Sequence, residues 1–187
     1  MVFALSGVHG AGKTTTLNAL RSFPTLENFL FFSELTRNLY ARGYDINENG
    51  GDETQLAVCN MHLSYLLHSF QQDVFLDRCL LDGLVYTQYL WGEGKVKEAT
   101  FNFIKSIYEE HLLCYDKIFL FSPHSEVIEG DGVRSTSPSF HKAIQYLFEE
   151  TIRDCPILKS LIIRVPPGSL MDRVSFIEEE YKAYGRL

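Results

Sequence analysis

Gly7-Val8-His9-Gly10-Ala11-Gly12-Lys13-Thr14 is the stretch that decides the fold. It follows the apolar run Val2-Phe3-Ala4-Leu5 and opens a segment of helical character, Thr15 to Ser22. The pattern G-x-x-x-x-G-K-[ST] is what a nucleoside triphosphate requires. Glycines let the backbone turn its N–H groups inward around the β-phosphate, and the helix that follows directs its positive N-terminal end at the same anion. Gly7, His9, Gly10, Ala11, Gly12, Lys13, Thr14 and Thr15 are therefore the expected nucleotide-binding residues. Lys13 is placed to reach the β- and γ-phosphates, and Thr14 to offer its hydroxyl to the Mg²⁺ that bridges them. His9 occupies a variable position of the loop and reads as a spacer. The rival reading is a glycine-rich turn with a surface lysine, which the strand–loop–helix context disfavours.

The chain has 187 residues, 45% of them hydrophobic, enough for one well-packed domain and short for two. A single domain over 1–187 is expected. No run of 18 apolar residues occurs, and the first residues enter a strand without a basic region or cleavage site, so a soluble, cytoplasmic protein without membrane partners is expected. Cys59, Cys79, Cys114 and Cys155 are widely separated and match neither a disulfide framework nor a zinc site; free core thiols are the default. Seventeen basic against 24 acidic residues give a net charge of −7, which counts against a broad footprint for duplex nucleic acid.

Short apolar runs alternate with segments of helical period. Strands are expected at 2–6, 29–33, 73–77, 117–121 and 158–164. Helices are expected at 13–22, within 34–43 and 52–72, near 80–91 and 97–112, and at 138–154 and 170–184. Five strands separated by helices imply a parallel sheet covered on both faces, an α/β three-layer sandwich. Ligands in such sheets gather at the carboxyl ends of the strands. Gly7 onward, Glu34, Asp77 with Arg78, and Ser122 through Arg134 should then converge on one cleft. The stretch 43–52 reads as a loop, and Ser137-Pro138 as a helix start.

Asp77 ends a buried strand, where an acid holds Mg²⁺ directly or through water; capping the next helix is the plainer alternative. Arg78 beside it is suited to a substrate phosphate or carboxylate, with a structural ion pair as the rival. Glu34 ends the second apolar run, positioned to accept a proton from an acceptor hydroxyl as that oxygen attacks the γ-phosphorus. Arg37, one turn later, either orients the acceptor or pairs with Glu34 on the helix surface. The segment 122–137 has the composition of a lid that brings Arg134 to the transferring group. His62 and His68 on an apolar helix read as packed residues, and no metal is assigned to histidines. Tyr40, Tyr44, Tyr86, Tyr89 and Trp91 suit either a base pocket or a helix face against the sheet.

Taken together, GVHGAGKT, SELTR (33–37), LDRCLLDGLVY (76–86) and the run from Tyr115 to Arg134 resemble the nucleoside and nucleotide kinase group of P-loop proteins. The nearest shapes are thymidylate kinases and the kinase domain of nicotinamide riboside kinases of the bifunctional bacterial regulator type. The resemblance covers nearly the whole chain and implies a P-loop NTPase fold. It matches Asp77-Arg78 to the strand-end Asp-Arg pair, Glu34 to the strand-two acid and Arg134 to the lid arginine. The implied activity is ATP- and Mg²⁺-dependent transfer of the γ-phosphoryl group to a nucleoside- or nucleotide-like acceptor. A single lid arginine, and no proline and glycines after the strand-two acid, shift the expectation from a monophosphate toward a hydroxyl acceptor.

Two alternatives stand beside this one. Some phage kinases that phosphorylate 5-hydroxymethyluracil within DNA also resemble thymidylate kinases, although the acidic balance counts against DNA. A non-catalytic nucleotide-binding regulator would need the phosphate loop but not the acids and arginines at the other strand ends. A GTPase switch would need an N-K-x-D segment, and Tyr115-Asp116-Lys117 lacks that order. A remodelling ATPase would usually need a larger chain and an arginine supplied by a neighbour.

Overall fold

Five short apolar runs become the strands of one parallel sheet: β1 (Val2–Gly7), β2 (Leu30–Phe32), β3 (Val74–Asp77), β4 (Lys117–Phe121) and β5 (Ile162–Val165). The computed structural model describes residues 1–123 and 135–184. The strand order is β2-β3-β1-β4-β5. β1 is buried along its whole length because helices cover the sheet on both faces, which is why its sequence is a continuous apolar run instead of an alternating one. The chain leaves β1 for one half of the sheet and later returns to the other. The carboxyl end of β1 is therefore the point where strand order reverses, the place where such sheets open a crevice.

The helices that fill the crossovers are α1 (Lys13–Leu20), α2 (Leu35–Ala41), α3 (Asp52–His68), α4 (Leu80–Gly92), α5 (Glu98–His111), α6 (Pro138–Asp154), α7 (Pro156–Leu161) and α8 (Leu170–Tyr184). α1 packs on α8, and α4 packs against α3, α5 and α6. Rings hold the centre of the sheet: Phe3 lies 5.1 Å from Phe75 and 6.1 Å from Phe119, and Phe29 lies 5.1 Å from Phe75. Full burial of each contributes roughly 1.5–3 kcal/mol. No described helix is long and apolar enough to cross a membrane.

Two expectations shift. The last strand begins at Ile162, not 158, because Pro156 at the first helical position starts α7 and seats Leu158 in the core. A short apolar run does not distinguish strand from buried helix by itself. Of the cysteines, Cys59 and Cys79 are buried and Cys155 is half-buried, but Cys114 is exposed on a 3₁₀ turn, so it is not a core thiol. Ser137 caps α6 as read, its hydroxyl accepting from the Phe140 N–H at 3.4 Å, with Pro138 at the first helical position.

Gly7 carries a constraint that no other residue satisfies. Its φ is +126°, and a Cβ there would sit 2.4 Å from the carbonyl oxygen of Phe121, its partner across the β1–β4 ladder. Any side chain both strains the turn into the phosphate loop and pushes two central strands apart. Gly7→Ala should cost about 2–4 kcal/mol in urea unfolding, and a loss below about 0.5 kcal/mol would contradict this reading.

Candidate active site

The β-ladders decide which residues meet. Phe32 of β2 is level with Leu76 of β3, and Asp77 of β3 is level with Leu5 of β1. Glu34, Asp77, Arg78 and the loop after β1 are thereby delivered to one edge. His9, Thr14, Glu34, Arg37, Asn47, Asp77 and Arg78 line a common hollow there, as the strand-end rule anticipates. Three of them, Glu34 (φ 64°), Asn47 (φ 55°) and Arg78 (φ 74°), are the described non-glycine residues with positive φ. Such conformations cost on the order of 1–3 kcal/mol each and persist where surrounding structure holds them, often at working sites.

The loop 7–12 wraps the N-terminus of α1. The Lys13 ammonium is buried and donates to the carbonyls of Gly7 (2.6 Å) and Val8 (2.8 Å). Thr14 Oγ1 donates to Asp77 Oδ2 at 2.5 Å, joining the loop to the end of β3. The other carboxylate oxygen, Asp77 Oδ1, is buried with no hydrogen-bond partner among the described residues. A buried carboxylate oxygen without a donor is costly unless a cation completes it. A threonine hydroxyl beside a carboxylate is an all-oxygen set suited to Mg²⁺. Thr14 and Asp77 thus fit the ion. Asp77 does not cap α4, because Cys79 is the N-cap residue.

Arg78 is fixed from two sides. Its Nη1 lies 3.3 Å from Asp82 Oδ1, and its guanidinium lies over the Tyr86 ring, 5.2 Å from the centroid. Burial disfavours its charge, but Tyr86, Asp82 and Asp77 outweigh that and push the pKa further up, so it stays cationic. Asp82 is itself anchored, accepting from Ser6 Oγ at 2.7 Å and from the Cys79 N–H at 3.1 Å. Its position three residues after the N-cap is the spacing of a capping box, the sequence signal that would have singled it out. Tyr86 Oη accepts from the His9 N–H at 3.2 Å and lies 2.9 Å from His9 Nδ1. His141 Nε2 lies 3.2 Å from the His9 carbonyl, which only a protonated nitrogen can approach as donor. The spacer histidine is thus a buried tie between the phosphate loop, α4 and α6.

Glu34 is half-buried at the start of α2, and Arg37 Nε lies 2.9 Å from its Oε2. The ion pair and the place at the hollow coexist. Arg134, and the lid expected over 122–137 except for 122–123 and 135–137, lie outside the described residues.

Behind Arg78 a second hollow, open at its mouth, lies among α2, α3 and α4. Leu35, Leu39, Ile46 and Val58 supply apolar wall, and Thr54, Gln55, Asp82 and Tyr86 polar groups. Of the aromatics named from sequence, Tyr86 lines this space, whereas Tyr40 is exposed and Trp91 stacks on Phe101. Asp116 lies at the opposite edge of the sheet, accepting from the Val2 N–H and the Tyr184 hydroxyl, both at 2.6 Å.

The family model for an AAA domain matches residues 2–173. The chain belongs to this AAA domain family. Solved structures with the same fold include the deoxyadenosine kinase from M. mycoides with bound products dCMP and dCDP, at 15% identity and a TM-score of 0.68, covering 98% of this AAA domain chain and 100% of that one. NadR in complex with NR is similar at 17% identity and a TM-score of 0.73, covering 98% of this chain and 51% of that one. NadR with NAD and AMP-PNP gives 15% identity and a TM-score of 0.70, covering 98% and 49%. The AAA domain chain thus spans about half the length of NadR. The likeness establishes a P-loop kinase fold. The comparison with curated proteins found no match.

His62 is among the residues that line the second hollow. It is fully buried, as expected, yet neither ring nitrogen has a hydrogen-bond partner among the described residues. Burial, reinforced by the positive charge of Arg78, lowers its pKa from 6.5 to about 3. The folded protein therefore refuses a proton that the unfolded chain accepts, and stability falls as pH drops from about 6.5 toward about 3. Against His62→Gln, wild type should lose about 2 kcal/mol more between pH 7 and pH 5 in urea unfolding; parallel pH profiles would contradict it.

Proposed function

We propose that this AAA domain is a kinase that transfers the γ-phosphoryl group of ATP to a hydroxyl of a nucleoside-class small molecule. The observation that carries the reading is the meeting, at one sheet edge, of the phosphate loop, the open Asp77 oxygen and the Glu34 carboxylate beside a partly apolar hollow. The loop N–H groups and Lys13 hold the donor phosphates. Thr14 and Asp77 would hold Mg²⁺, which when bound neutralises charge on the β- and γ-phosphates.

Glu34 accepts the proton of the acceptor hydroxyl as its oxygen bonds to the γ-phosphorus. The bond from that phosphorus to the β,γ-bridging oxygen breaks, and ADP leaves. Arg78, cationic and clamped by Asp82 and Tyr86, offsets the charge that spreads over the transferring group. Arg37 orients Glu34 through their ion pair, and Arg134 supplies lid charge. The cavity walls take the flat, largely apolar faces of a base, with Thr54 and Gln55 meeting its polar edge. The net charge of −7 counts against duplex DNA as the acceptor.

Transfer of labelled γ-phosphate from ATP to nucleosides, nucleoside monophosphates, nicotinamide riboside, and DNA with and without hydroxymethyluracil tests the proposal. Label should appear on a small hydroxyl acceptor, only with Mg²⁺, and fall at least about 100-fold in Lys13→Ala and Glu34→Gln. Label on hydroxymethylated DNA alone moves the protein to DNA modification, and ATP binding without transfer favours a regulator. Undiminished turnover by a folded Lys13→Ala would refute the donor-site assignment.

A further inference from the structure

Arg173, in the first turn of α8, is nine-tenths buried, and its guanidinium lies against the phosphate loop. A Cβ built on Gly12 would stand 2.4 Å from Arg173 Nη1, so the guanidinium occupies the space that this glycine leaves open. α8 is held there by its packing on α1, whose N-terminus the loop wraps. Arg173 Nε donates to the Ser169 carbonyl at 3.3 Å, a contact within its own helix turn. Among the described residues Nη1, which is buried, has no hydrogen-bond partner, and no carboxylate pairs with the group. A guanidinium carries five donors and stays charged, so burying it with a single carbonyl partner is unfavourable until an anion arrives.

On the phosphate-loop side the surroundings are positive, and the one acid in Arg173's own helix turn, Asp172, accepts from the Ser169 N–H. Gly12 immediately precedes the buried Lys13, and the first turn of α1 contains no acidic residue. The positive end of that helix adds to the two cations. In a chain of net charge −7, this local concentration of positive potential selects an anion with several oxygens. We propose that Arg173 is a nucleotide-contacting residue whose guanidinium binds the phosphates of the nucleotide held by residues 7–14. This rests on the reading of that loop as the donor site and adds a residue from the far end of the chain. Its fork of N–H groups suits phosphate oxygens bidentately, which a lysine does not reproduce.

A structural arginine and a ligand-binding one differ in the unliganded protein. Titration calorimetry with MgADP and with inorganic pyrophosphate, beside thermal unfolding without ligand, separates them in wild type, Arg173→Met and Arg173→Lys. Arg173→Met should bind both ligands at least tenfold more weakly while unfolding, unliganded, at or above the wild-type midpoint. Arg173→Lys should bind them at least threefold more weakly with its midpoint unchanged, and it decides the matter alone if the methionine variant does not fold. Wild-type affinity in both variants, or a lowered midpoint in Arg173→Lys, overturns the proposal. Loss for MgADP with pyrophosphate binding intact overturns the phosphate assignment. A wild type that binds neither ligand refutes the donor-site reading itself.

Discussion

The hydrogen bond from Thr14 to Asp77 ties together two segments that are 63 residues apart in sequence, and the rest of the site depends on that junction. It forms because β3 lies beside β1 in parallel register, which brings Asp77 level with Leu5 and hence close to the loop that follows. Gly7 makes the junction geometrically feasible by letting β1 turn away while its backbone stays in contact with Phe121. The hydroxyl occupies one carboxylate oxygen and leaves the other, buried and without a donor, facing the need for a cation. Fold and chemistry meet here: burial of an apolar sheet places a carboxylate oxygen where it is desolvated and without a donor among the described residues.

Costs accumulate on the same edge. Left-handed Glu34, Asn47 and Arg78, the underpaired Arg173 guanidinium and the bare nitrogens of His62 all lie at or around it. Away from it, half-buried Asp116 accepts from Val2 and Tyr184, while the buried Tyr108 hydroxyl also lacks a partner among the described residues. Local violations of folding rules collect where a protein works, because partners absent from the folded chain complete them. Asp82 shows how the fold supports this strain. It closes the first turn of α4 through Cys79, takes Ser6 from β1, and meets Arg78, so one carboxylate stabilises a helix and aims a cation.

The legible parts of the sequence were those whose signal is local. β1, β3 and β4 are buried on both faces and read as unbroken apolar runs, and the phosphate loop has its own spacing. The strand-end rule then located Glu34, Asp77 and Arg78 without knowledge of strand order. His141, Gln55 and Arg173 escaped because each lies within a helix, where one charged or polar residue carries no spacing signal. Their roles depend on which helices pack together, and tertiary packing decides that. The register of β5 escaped for a related reason: Cys155-Pro156 starts a helix inside an apolar run that also suits a strand.

Calorimetric titration of ATP into wild type and Asp77→Asn, with and without Mg²⁺, tests the central claim most directly, namely that the open carboxylate oxygen and the phosphate loop form one metal-nucleotide site. Mg²⁺ should tighten ATP binding by wild type at least tenfold, and most of that gain should vanish in Asp77→Asn while its metal-free ATP binding stays within about threefold of wild type. An equal Mg²⁺-dependent gain in both proteins would contradict the account.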